Sequence, residues 1–89
     1  MATFYKDPDA VLDYEYNWAA WLPTGYTITS YTVTIEDGLT KDSDTGTSTA
    51  VTFWVSGGTT GETYECTVHI VTAEGREDER TRTIKVIER

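Results

Sequence analysis

The sequence has one cysteine, one histidine, one methionine and two prolines in 89 residues, and each scarcity closes off a class of protein. Cys66 alone cannot form an internal disulfide or a cysteine metal cage, and His69 has no second imidazole with which to share a metal. Cationic side chains are also few: seven Lys and Arg stand against fifteen Asp and Glu, for a net charge of −8. Affinity for nucleic acid comes mainly from neutralised backbone phosphates, so neither nucleic acid nor an anionic membrane is an expected partner. Apolar runs are a handful of residues long, against the ~20 that a spanning helix needs, and Met1–Asp7 lacks the basic-then-apolar layout of a signal peptide. The chain reads as soluble and unprocessed. Leucine occurs only at positions 12, 22 and 39. No segment of helix length carries an i, i+3, i+4, i+7 apolar stripe, so no helix is expected beyond a turn near Ala19–Trp21.

What is present suits strand. About a fifth of the chain is threonine, accompanied by six Tyr, three Trp and many Val and Ile, and β-branched and aromatic side chains pack well on a half-buried pleated surface. The length allows one domain with a thin core, in which roughly 60–65% of the unfolded surface can be buried. Period-two alternation then marks the strands. Leu12, Tyr14, Tyr16 and Trp18 share one face, and Pro23-Thr24-Gly25 forms a turn after them. Tyr31, Val33 and Ile35 face one way, but Ile28 and Ser30 enter with the opposite parity, which predicts a bulge near Thr29–Ser30. Leu39 returns to the core after the Asp37-Gly38 turn. The polar stretch Thr40–Thr49 is a loop or a weak edge strand. Val51, Phe53 and Val55 form another alternating set. Tyr64, Cys66, Val68 and Ile70 form the most regular one, expected at the centre of a sheet and joined by Ala73–Arg76 to a returning strand with Ile84 and Val86.

About six or seven strands at this spacing predict an all-β fold, a small antiparallel β-sandwich of the immunoglobulin-like or fibronectin III-like kind. Residues 10–89 would form that single domain and residues 1–9 an N-terminal arm or edge strand. Tyr64 stands two residues before Cys66, the spacing of the tyrosine corner in such sandwiches. The expected core is Tyr14, Tyr16, Trp18, Val33, Ile35, Val51, Phe53, Val55, Tyr64, Cys66, Val68, Ile70, Ile84 and Val86.

Catalysis requires a base or nucleophile held against a partner, and the candidates do not converge. Cys66 and His69 are three apart on one strand and point to opposite faces. The Asp42-Ser43-Asp44-Thr45-Gly46 stretch faintly echoes a calcium loop but lacks its third acidic position and distal Glu. Glu77-Asp78-Glu79 lies beside Arg76, Arg80 and Arg82, so mutual screening at a hairpin tip is a sufficient role. No catalytic residue, metal site or cofactor is expected. Rings, by contrast, exceed what a thin core holds. Trp21, Tyr26 and Trp54, with Phe4 and Tyr5 in the arm, are the candidate protein-interface residues, since exposed rings anchor interfaces or stack on sugars. The arm, Ala2–Asp9, is too short to be stable alone and is expected to order on a neighbouring subunit.

Several strings carry a resemblance: Lys6-Asp7-Pro8-Asp9-Ala10-Val11-Leu12-Asp13-Tyr14; Trp18 and Trp21-Leu22; Trp54-Val55-Ser56-Gly57-Gly58-Thr59-Thr60-Gly61; and Thr72-Ala73 with Gly75-Arg76. Across Lys6–Val86 the chain resembles a family of small fiber-tail adaptor or minor structural proteins of tailed bacteriophages. The resemblance implies a non-enzymatic immunoglobulin-like module without a cofactor, made in the host cytoplasm and built into the virion in several symmetry-related copies. It would join tail, head–tail connector or fiber subunits. The alternatives are capsid decoration, a surface carbohydrate-binding or adhesion module, and a phage protein that binds one soluble host partner. A sugar module would require Trp21 or Trp54 to be flanked by acids, for which Asp13 and Asp37 are available.

Overall fold

The structure, a computed structural model, describes residues 3–88. Seven strands follow one another: β1 (Thr3–Lys6), β2 (Leu12–Asn17), β3 (Ile28–Ile35), β4 (Leu39–Gly46), β5 (Ala50–Gly57), β6 (Thr63–Thr72) and β7 (Glu77–Val86). They form two sheets, β1-β7-β6-β3 and β2-β5-β4, in which every pair is antiparallel except β1 with β7. Lettered A to G in chain order, the sheets read A-G-F-C and B-E-D. This is the constant-type immunoglobulin strand order with the first strand moved to the other sheet. Between β2 and β3, the amides of Trp21 and Leu22 both donate to the Trp18 carbonyl, a single helical turn at the place the sequence indicates.

The two inner faces meet in a core of Tyr16, Trp18, Val51, Phe53, Val55, Cys66, Val68, Ile70, Ile84 and Val86, all fully buried, with Tyr64, Ala50 and Leu39 nearly so. Tyr14, Val33 and Ile35, expected in the core, are half-buried and pack against its margin. The reason is topological, since β2 and β3 each end a sheet and have a neighbour on one side only. Leu12, placed on the core face by alternation, is exposed. It is the first residue of an edge strand, two residues beyond Tyr14, where the Phe4 ring stacks at 4.6 Å and closes the seam. The register shift in β3 falls between Ile28 and Ser30, where the parity change predicts it. The polar stretch after Leu39 is a strand, β4, at the edge of its sheet and irregular between Lys41 and Ser43.

Residues 3–6 do not wait for another subunit. Met1 and Ala2, at the start of the expected arm, and Arg89 at the other terminus lie outside the described residues. The rest of the segment pairs in register with β7, from Thr3 opposite Thr83 to Lys6 opposite Val86. Three further hydrogen bonds fasten it. The Ile87 amide donates to the Lys6 carbonyl at 2.8 Å, and the buried Lys6 ammonium donates to the carbonyls of Asp7 and Gly57, each at 2.8 Å. Burial lowers the pKa of that ammonium, against the pull of Asp7, Asp9 and Asp42. Because Gly57 belongs to β5, the lysine ties one sheet to the other.

At the β5–β6 corner the Thr59 amide donates to the Tyr64 hydroxyl at 3.0 Å, the contact expected of a tyrosine corner. The corner depends on close approach: a Cβ at Gly58, which has φ +98°, would lie 2.7 Å from Val86 Cγ2. Cys66, two residues on, fills its slot as a buried thiol. Opposite it, the Tyr16 hydroxyl donates to the Cys66 carbonyl at 2.8 Å across the core. Two substitutions test this arrangement. Val68→Asp places an unpaired charge where the structure is dry and should unfold the domain, since the cost of several kcal/mol rivals its whole stability. Tyr16→Phe keeps the ring but strands a buried acceptor, and should cost about 1–3 kcal/mol in urea denaturation with the fold retained.

Candidate protein-docking surfaces

The interface residues expected from sequence fall at three separate places. Phe4 faces inward, packed on Tyr14, and its ring lies 5.8 Å from the Arg82 guanidinium. Tyr5, the next residue, faces outward and is exposed. Trp54 projects from the outer face of β5, opposite Asp13 of β2 and Ser43 of β4. The four exposed large apolar residues of the described chain are Tyr5, Val11, Leu12 and Trp54. Leu12 pairs with Val55 and so lies on the inner face of the smaller sheet, at its margin, while Trp54 stands on the outer face. Acids border that outer face: Asp13 and Glu15 alternate along β2, and Asp42 accepts a hydrogen bond from Ser56 Oγ at 3.1 Å.

Trp21 and Tyr26 sit at one end of the sandwich, where three connections meet. The Trp18 and Ile28 amides donate to carbonyls of the β4–β5 turn, and the Ala73 amide in the β6–β7 turn donates to Thr27. Trp21 packs on the core margin, and the exposed Arg76 guanidinium lies over it at 4.7 Å and over Tyr26 at 5.8 Å. Arg76, read from sequence as a screening charge, was the member of this site that alternation could not supply, because it meets the rings only through the fold.

Strand parity divides the charges of β7, and the screening expected of Arg76, Arg80 and Arg82 for Glu77-Asp78-Glu79 is met by one pair, Arg80 with Asp78 at 3.6 Å. Neighbours on β7 point to opposite faces. Asp78, Arg80 and Arg82 turn to the inner side, where the Trp18 indole donates to Asp78 at 2.8 Å, Arg80 covers Trp18 at 4.7 Å and Arg82 covers Tyr16 at 4.7 Å. Glu77 and Glu79 turn outward onto His69, whose Nε2 lies 2.9 Å from Glu77 and Nδ1 3.4 Å from Glu79.

The acids of β4 do not converge. Asp42 is taken by Ser56, while Asp44 accepts from the Tyr31 hydroxyl at 2.7 Å and pairs with Lys41, contacts that lower its pKa, the lysine's most. Beside them an open groove of about 450 Å³ runs between β3 and the β4–β5 turn, lined by Thr27, Ile28, Thr29, Tyr31, Gly46, Thr47 and Ser48. It is floored by the Tyr31 ring, on which Gly46 lies so closely that a Cβ there would come within 2.5 Å of Cε1. Cys66 is no nucleophile at neutral pH: burial, with the Glu36 charge adding to it, pushes its thiol up to about 12.

His69 gives this face a pH dependence whose sign is fixed. Its pKa is raised above 6.5, first by the hydrogen bond to Glu77, against the lowering effect of burial, with the Glu79 carboxylate adding to the rise. The stabilisation is therefore fully present below about pH 6.5 and lost as pH rises through the raised folded value. Thermal melts between pH 6 and 8.5 should show stability falling with pH, and His69→Gln should remove that part of the slope.

No curated protein matches the chain. A family model does, over residues 6–85, and its span covers both Trp54 and the Arg76 end. The chain belongs to the family of the podophage GP4 fiber-tail adaptor protein gp77.

Proposed function

We propose that the chain is a non-enzymatic adaptor of a podophage tail, joining fibers to neighbouring tail or head–tail proteins, with several copies arranged by the symmetry of the particle. The observation that carries this reading is the exposed Trp54 ring on the outer face of β5, flanked across the sheet by Asp13 and Ser43. An apolar centre with a polar rim is the anatomy of a docking surface. Its rim is acidic, through Asp13, Glu15 and Asp42, and the chain carries −8. Two such surfaces repel one another, so the complement is a different virion protein with Lys or Arg around its own apolar contact.

Phe4 packs inward on Tyr14 and does not reach a partner, while Tyr5 beside it is exposed. The N-terminal strand is thus part of the domain that presents the surface. Nothing in this role calls for a cofactor, nucleic acid or a membrane.

Particles assembled in a host lacking the chain, and complemented with variants, test the reading. Trp54→Ala should leave the melting temperature within a few degrees, because the ring is largely outside the core, and reduce incorporation at least tenfold, as loss of a central anchor costs ~2 kcal/mol or more. Asp13→Lys should weaken incorporation further at low salt than at high salt. Full incorporation of folded Trp54→Ala would sink this surface. Binding of an oligosaccharide that depends on Trp54 and on its cross-strand neighbour Asp13 would move the surface to glycan recognition.

A further inference from the structure

The geometry points to a carboxylate receptor at the opposite, loop-bearing end of the domain: Arg76, held between Trp21 and Tyr26, takes an Asp or Glu side chain of a neighbouring virion protein. The inference rests on the adaptor reading for the identity of that neighbour and on the site alone for its chemistry.

Three observations carry it. First, the guanidinium is placed without being used up. It lies 4.7 Å from the Trp21 ring centre and 5.8 Å from that of Tyr26, while among the described residues no carboxylate forms an ion pair with it. Arg82, which also lacks such a pair, is half-buried over Tyr16 and Phe4, whereas Arg76 is exposed. The acids nearest in sequence are engaged elsewhere: Glu74 accepts from the Thr27 amide at 3.3 Å, Glu77 holds His69, and Asp78 holds the Trp18 indole.

Second, the arginine is pre-organised by its backbone. Its amide donates to Thr72 Oγ1 at 2.9 Å, its carbonyl accepts from the Thr72 amide at 2.8 Å, and Gly75 before it takes φ +90° to close the turn. A planar guanidinium stacked on rings keeps its N–H edges free for a bidentate carboxylate and has already lost much of the rotamer freedom that binding would otherwise cost.

Third, the rings are not open platforms. Trp21 has the core margin on one side and the guanidinium on the other, so a sugar has no clear indole face on which to stack. Aromatic residues around an arginine are instead the composition of protein hot spots. A second copy of this chain is disfavoured by its charge. An acidic segment of a different protein remains, and the domain then has two unlike docking surfaces, one around Trp54 with acids beside it and one that presents the Arg76 guanidinium, as a joint between two proteins requires.

The probe is a blocked hexapeptide of alternating glutamate and glycine, with its glutamine counterpart as control, titrated into ¹⁵N-labelled chain at low salt. The Trp21 indole N–H and Arg76 Nε–H signals should move with the glutamate peptide and stay still with the glutamine peptide. Arg76→Lys, which keeps the charge but loses the fork, should weaken the response about tenfold. Equal response to both peptides, an Arg76→Gln variant that titrates like the parent, or shifts that grow with chain concentration without peptide would each overturn the proposal, the last by naming a second copy as occupant. In particles, Arg76→Glu should lower incorporation at least tenfold while melting as the parent does. If the parent chain itself never enters particles yet binds the glutamate peptide, the adaptor reading falls and the receptor stands. If parent and Arg76→Glu enter equally and the peptide does not bind, the receptor falls and the adaptor reading stands.

Discussion

The domain is held as one body by a hydrogen bond that crosses it. Tyr16 reaches from β2 through the dry space between the sheets and gives its hydroxyl proton to the Cys66 carbonyl on β6. This joins strands B and F, which antibody-type sandwiches link by a disulfide. With one cysteine in the chain, an internal disulfide is impossible. The hydroxyl achieves a non-covalent version of the same constraint: burial raises its pKa, so it stays a neutral donor, and neither partner has water to fall back on. Around this link the rings assemble, with Phe53 edge-on to Tyr16 at 5.4 Å and Trp18 tilted against it at 6.3 Å. Lys6 supplies a second tie at the opposite end, from β1 to Gly57.

With the sheets fixed, the open edges become the problem, because an unpaired strand invites another chain. β1 covers β7 only from Thr83 to Val86. Along the uncovered stretch, Asp78, Arg80 and Arg82 turn inward over Trp18 and Tyr16, so a strand docking there would have to bury or displace those charges. β4 carries Lys41 and a register shift, which deform its edge. β3 is partly closed by Tyr31 reaching across to Asp44. Contacts that join the two sheets therefore also discourage strand addition, and specific docking is left to side chains at Trp54 and Arg76.

How much of this was legible in the sequence follows from the range of each interaction. Tyr16, Phe53, Cys66 and Val68 announce themselves by alternation, which is local, and so does the β3 bulge, through a parity change. Leu12 obeys the same alternation and is exposed, because burial also needs a neighbour above the residue and alternation says nothing of where the opposing sheet ends. β1 could be read only as arm or strand, since its pairing with β7 spans almost the whole chain and its fastening depends on a lysine buried against carbonyls, where composition places lysine outside. The inward turn of Arg80 and Arg82 was available from period two but masked by the adjacent acids, of which only Asp78 shares their face and pairs with Arg80. The candidate rings were visible as a surplus. Their division between the Trp54 face and the Arg76 end was not, because it is set by which loops the two sheets bring together.

The same range of interactions accounts for where the residues most often associated with chemistry are engaged. A thiol becomes a nucleophile when a nearby cation or helix terminus lowers its pKa, whereas Cys66 lies in an apolar core that pushes it up to about 12. An imidazole serves as a base when one nitrogen is free, whereas both nitrogens of His69 face carboxylates. Asp44 and Asp78 are committed to Lys41 and Tyr31, and to Trp18 and Arg80. Each of these groups is engaged in holding the sandwich together or shielding its edge. Trp54 and Arg76 are different: the Trp54 ring and the Arg76 guanidinium are positioned by the fold and exposed, which is why the proposed docking surfaces are built on them.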